Sequence, residues 1–155
     1  MPAPREQTVA ASLFDRLTDY DPRNSREAPP PRSEQFQNYK EGVARDLTNL
    51  LNVRRSDADI PEAFPYTRES IAAYGVQDFT TAPIERDEIR RSIERTVRIF
   101  EPRLSRVQVS LIEAGVFNVA FRITGLLRII TGLEPVVYDA DLPKDARRIR
   151  VISGR

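Results

Sequence analysis

The stretch RIFEPRLSRVQVSL, residues 98–111, changes the period of the hydrophobic pattern, and that change limits the fold more than any other feature. Upstream of it, Ile89, Ile93, Val97 and Phe100 recur at the spacing of one helical face. Downstream, Val107, Val109 and Leu111 alternate with Arg106, Gln108 and Ser110, the period of a half-buried strand. Pro102 stands at the boundary. It lacks an N–H and its ring collides with the preceding turn, so the long helix that opens near Pro83 ends there. Helices first and strands second predict an α+β fold: N-terminal helices packed on one face of an antiparallel sheet formed by the C-terminal half.

The other elements follow the same logic. SLFDRL, residues 12–17, is a short helix with Ser12 at its N-cap, followed by a segment with Pro22, Pro29, Pro30 and Pro31 among charged residues, which reads as an extended tether. Phe36, Tyr39, Val43, Leu47, Leu50 and Leu51 then form the stripe of an amphipathic helix with Asn52 as its C-terminal cap. A brief helix is expected from a Thr67 cap to a Gly75 stop. Beyond the first strand, a link at Glu113, Ala114 and Gly115 predicts a hairpin into a second run carrying Phe117, Val119, Phe121 and Ile123. LLRII, residues 126–130, is expected to continue that strand past Gly125 through a bulge. EPVVYD, 134–139, and RRIRVIS, 147–153, read as two further strands. The expected organisation is residues 1–35 as helix and Pro-rich flexible tether, and 36–155 as one α+β domain.

With no Cys and no His, the 155 residues offer no thiolate nucleophile, disulfide, Ser-His-Asp relay or ordinary zinc site. No cofactor is expected. Basic and acidic residues nearly cancel, 24 against 23, so no bulk charge points to nucleic acid. Arg90, Arg91, Arg95 and Arg98 share the long helix with Glu85, Glu88 and Glu94 at pairing distances, which reads as a solvated face. No run approaches the roughly 20 apolar residues of a membrane helix, and MPAPREQTVAAS lacks the apolar core of a signal peptide, so a cytoplasmic protein without membrane insertion is expected.

The corner itself is chemically loaded. Glu101 lies at the unfavourable, C-terminal end of a helix dipole, and Arg103 is placed to compensate it. Residue types alone allow two roles for the pair, a local ion pair that tidies the corner or a contact with another molecule.

Taken in order, SLFDRL, RDLTNLLNVR (45–54), SIAAYGVQDF (70–79), FEPRL (100–104) with a following V-x-V strand, FRITGLL (121–127) and EPVVYD resemble the TssE-like baseplate subunits of bacterial type VI secretion systems. That family is similar to wedge proteins of contractile phage tails once labelled lysozyme-like. The likeness runs over about residues 12–152. It implies a structural job: a sheath-like fold in the baseplate near the inner membrane, joining the TssF and TssG wedge subunits to the contractile sheath and helping sheath assembly begin. The family's Glu-Pro-Arg motif falls on Glu101, Pro102 and Arg103, and its Leu-Leu-Asn segment on Leu50, Leu51 and Asn52. In such proteins the first motif is held to be an assembly contact, which weights Glu101 and Arg103 toward docking.

The final strand points the same way. It puts Arg148 and Arg150 on one face and Ile149 and Val151 on the other, close to the end of the chain, where a sheet edge is expected to accept a strand from a neighbour or to be protected by its arginines. The tethered helix docks on its own domain or on a neighbour. The alternative to a scaffold is a carboxylate-dependent peptidoglycan hydrolase, which needs two carboxylates with one kept protonated. Glu101, Glu113, Glu134 and Asp78 are the available acids, but each lies beside a turn or a basic neighbour, and a guanidinium beside Glu101 favours the charged form, the reverse of what a general acid requires. No catalytic role is therefore expected.

Overall fold

The computed structural model describes residues 17, 31–55, 60–61, 63–77, 85–114, 118–143 and 148–154. The helix read at 12–17 and most of the tether lie outside this set, apart from Leu17, which is helical and exposed.

Two amphipathic helices supply one layer. Helix α1 spans Arg32–Asn52 and buries Tyr39, Val43, Leu47, Leu50 and Leu51 of the expected stripe together with Ala44, while Phe36 is half-buried. It begins at Arg32, inside the segment read as tether. The helix α2, Pro65–Arg68, is a single turn, and a separate 3₁₀ turn, Ile71–Ala73, follows it. That turn is capped by Ser70, whose hydroxyl accepts from the Ala72 N–H, and not by Thr67 as expected. Helix α3, Arg86–Phe100, buries Ile89, Ile93, Thr96 and Val97. Pro83 lies outside the described residues.

The second layer is a four-stranded antiparallel sheet in chain order: β1 Leu104–Ala114, β2 Asn118–Ile129, β3 Gly132–Pro143 and β4 Arg150–Ser153. The expected α+β arrangement is therefore present. Strand β2 runs unbroken through Gly125, which pairs with Val136. The bulge expected in β2 lies instead in β1, where Arg106 and Val107 stand between the partners of Leu126 and Thr124 and so oppose Gly125 alone. Arg106 takes a positive φ of 51° there, and a Cβ on Gly125 would come within 3.1 Å of the Ser105 carbonyl oxygen. The extra residue sits in β1 because glycine opposite it lets the kinked strand approach.

One face of the sheet meets the helices. Val107, Val109, Phe121, Ile123, Leu127, Val136, Tyr138, Ala140, Ile149 and Val151 form a continuous core with α1 and α3. Each large aliphatic side chain removed from water there contributes about 1.5–3 kcal/mol. The opposite face mixes polar residues with apolar ones such as Val137 and Ile152, and it is crossed by a bidentate Arg122–Asp139 pair between β2 and β3. The core thus fixes α1 beside β4 and α3 beside β1.

Candidate functional site

The corner predicted at Pro102 is where three elements are tied together. Helix α3 ends when the Glu101 N–H donates to the Val97 carbonyl, and the Glu101 carbonyl then accepts from Leu104 at the start of β1. Pro102 is exposed, and its fixed φ holds this tight reversal. The Glu101 side chain turns inward, and the residue is only 4% exposed. A buried carboxylate is costly unless paired and hydrogen-bonded. Arg103 satisfies it through a two-pronged contact, Nε to Oε1 at 2.7 Å and Nη2 to Oε2 at 2.5 Å, with a further backbone N–H donation at 3.2 Å.

Arg103 also reaches out of the corner. Its Nη2 donates to Asp46 Oδ2 on α1 at 2.7 Å, and its guanidinium lies 5.8 Å from the centre of the Tyr39 ring. Burial alone would lower the Arg103 pKa, but the hydrogen bonds and charges of Glu101 and Asp46 outweigh it and hold the group above its ordinary value. The Tyr138 hydroxyl is buried at the same place, finds no hydrogen-bond partner among the described residues, and has its pKa pushed up, first by burial and next by Glu101. The two charges at the corner thus form a local ion pair, extended by Asp46 into a clamp between α1, α3 and β1. Of the motif, only Pro102 and part of Arg103 reach the surface, with the Arg103 side chain 22% exposed.

The Leu-Leu-Asn segment and the final strand, read separately in the sequence, come together. Leu50 and Leu51 are interior, 2% and 0% exposed, so they act by positioning Asn52. The Asn52 amide donates to the Ile149 carbonyl at 2.7 Å and its oxygen accepts from the Ile149 N–H at 2.8 Å. One turn earlier on α1, Thr48 Oγ1 accepts from the Val151 N–H at 3.1 Å. Strand β4 is a sheet edge, with Arg148 and Arg150 exposed and Ile149 and Val151 buried.

The other edge carries residues whose role the sequence reading missed. Arg98 donates to the Val107 carbonyl from Nη2 at 2.9 Å, Glu94 Oε2 accepts from the Val109 N–H at 3.1 Å, and Arg90 donates to the Val109 carbonyl at 3.4 Å. Glu94 is also ion-paired to both arginines. The face read as merely solvated therefore closes the outer main chain of β1. Its signal was the four-residue spacing of Arg90, Glu94 and Arg98 on the helix leading into the first strand.

Among the described residues, no group of three or more Asp or Glu could hold a metal ion, and no helix is long and apolar enough to cross a membrane. Of the acids considered for hydrolysis, Glu101 is engaged by Arg103, Glu134 is exposed, and Asp78 and the Glu113 side chain lie outside the described residues.

A family model described as baseplate wedge protein gp25 matches residues 37–130, more than half of the chain, from α1 to the end of β2. It agrees with the resemblance read from the ordered motifs. No curated protein and no solved structure matches the chain significantly.

Proposed function

Because the chain belongs to the baseplate wedge protein gp25 family, whose members are structural parts of phage-like baseplates, we propose that it serves in the baseplate of a type VI secretion system. It joins the wedge, built with TssF and TssG, to the contractile sheath and helps sheath assembly begin. The observation that carries this reading is the family match over the segment containing both Leu50-Leu51-Asn52 and Glu101-Pro102-Arg103. Pro102 and the exposed part of Arg103 meet a wedge subunit, while Glu101 and Asp46 hold the guanidinium at a fixed angle. The rim of β4, with Arg148, Ile149, Arg150 and Val151, joins the sheath.

The role is non-enzymatic. A glycan hydrolase needs one carboxyl held neutral, and the best buried candidate, Glu101, spends both oxygens on a guanidinium. The working place is the cytoplasmic side of the inner membrane, where a baseplate would stand.

Co-expression with TssF and TssG subunits, then affinity purification and size exclusion, tests the reading. Wild type is expected to co-elute. Arg103→Lys keeps a charge but loses the planar fork, so it should stay folded by circular dichroism yet leave the complex. A wild type that elutes alone and cleaves purified peptidoglycan would instead establish the hydrolase.

A further inference from the structure

Each edge of the sheet is closed by side chains, but with different chemistry. Arg90, Glu94 and Arg98 hold β1 with three charged side chains that also pair with one another, and β1 is kinked by two register shifts. Such an edge is a poor template for an added strand. Among the described residues, the outer main chain of β4 is held by two neutral side chains, Thr48 and Asn52.

The phase of β4 shows what they occupy. Gly154 N–H donates to Val137, so Arg150, Ile152 and Gly154 face β3, and the main-chain groups of Ile149, Val151 and Ser153 point outward. Asn52 presents one donor and one acceptor to Ile149, the same two bonds that a residue of a neighbouring strand would make. We propose that the Asn52 and Thr48 side chains are a latch standing in for a fifth strand, displaced when an extended segment of a partner protein adds to β4 from its Ser153 end. The inference rests on the reading of β4 as the joining edge, and it supplies the regulation and specificity of that edge.

Charge identifies the partner. Arg148 and Arg150 are exposed and form no ion pair among the described residues, although Asp141 stands opposite Arg150 on β3, whereas Arg122 is matched by Asp139. A second copy of this chain pairing antiparallel on β4 would bring these arginines toward their equivalents, an unfavourable arrangement. A segment with carboxylates at alternate positions places them beside the arginines and its apolar residues toward the core side.

The test uses the full chain, isotope-labelled for amide NMR, and two short synthetic peptides, one alternating valine with glutamate and one alternating valine with lysine. The glutamate peptide is expected to shift the Ser153, Val151 and Ile149 amides, to leave Val107 and Val109 unmoved, and to bind Asn52→Ala about tenfold more tightly than wild type, the worth of a lost competing hydrogen-bond pair. Thr48→Val, which keeps the shape of the side chain, is expected to move affinity the same way and guards against an Asn52 variant that fails to fold. Equal binding of the two peptides, shifts centred on β1, or affinity unchanged in both variants would overturn the latch. Purification with sheath subunits separates the two claims. Co-purification of wild type without peptide discrimination keeps the joining role and removes the latch; peptide discrimination without co-purification keeps the latch and removes the joining role.

Discussion

Glu101 and Arg103 are partners, but they are not equivalent. The carboxylate is almost fully enclosed, and all of its side-chain hydrogen bonds among the described residues come from Arg103. The guanidinium is part-exposed and has Asp46 as a second anion. Removing Arg103 therefore strands a buried charge, at about 3–5 kcal/mol, whereas removing Glu101 leaves a cation with both water and Asp46, at about 1–3 kcal/mol. Urea denaturation of Arg103→Ala and Glu101→Ala should rank them in that order. Equal losses would mean that the corner is not organised around burying Glu101. The ranking also bears on assembly, because a variant lost from the complex through instability says nothing about docking, and Arg103→Lys is the cleaner probe.

At the level of elements, the turn between α1 and α3 depends on one glycine. Val76 N–H donates to the Val53 carbonyl and Arg55 N–H to the Val76 carbonyl, a short parallel bridge that ties the end of α1 to the loop. Thr96 of α3 donates to the Gly75 carbonyl at 3.3 Å, joining the second helix to it. Gly75 has φ +107°, and a Cβ there would lie 2.5 Å from the Val53 carbonyl oxygen. Gly75→Ala is expected to cost about 2–4 kcal/mol, combining backbone strain with a displaced bridge. Gly132, at φ +149° with nothing within 4 Å of a Cβ, is the control and should lose only about 1 kcal/mol on the same change. Thermal unfolding of the two variants separates strain from collision; similar losses would remove the collision from the account. The helices and strands were legible because their apolar periods are strong, and Pro102 marked the switch between them. The bulge expected in β2 lies in β1: a glycine in a period-2 run signals close approach without saying which strand carries the extra residue. Asp46 and Thr48 went unnoticed because they occupy polar positions of α1, and Asp46 meets Arg103 across 57 positions of sequence. Their importance exists only once the sheet has folded against the helix.

For the whole molecule, the corner couples stability to pH in alkali. Tyr39, Tyr74 and Tyr138 all have pKa values raised above the ordinary 10.0, in each case first by burial. For Tyr39 and Tyr138 the nearby Arg103 charge offsets part of the rise. A tyrosine with a raised folded pKa keeps its proton in the native state after the unfolded chain has begun to lose it. The native state then binds more protons than the unfolded one, so stability is complete below about pH 10 and falls as pH rises beyond it. Arg103 stays charged throughout this window, since its own pKa is held above the ordinary arginine value, so the ion pair persists. The urea midpoint followed by circular dichroism should be level up to about pH 9 with respect to these groups and should drop steadily between about pH 10 and 11. Tyr138→Phe removes the most enclosed of the three hydroxyls, one without a partner among the described residues, so it should lose no more than about 1 kcal/mol at neutral pH and show a shallower alkaline decline. A wild-type midpoint that stays flat through pH 11, or a Tyr138→Phe decline as steep as wild type, would show that the phenol is solvated in the native state. The packing of β3 against the Glu101–Arg103 corner would then be looser than an interior hydroxyl requires.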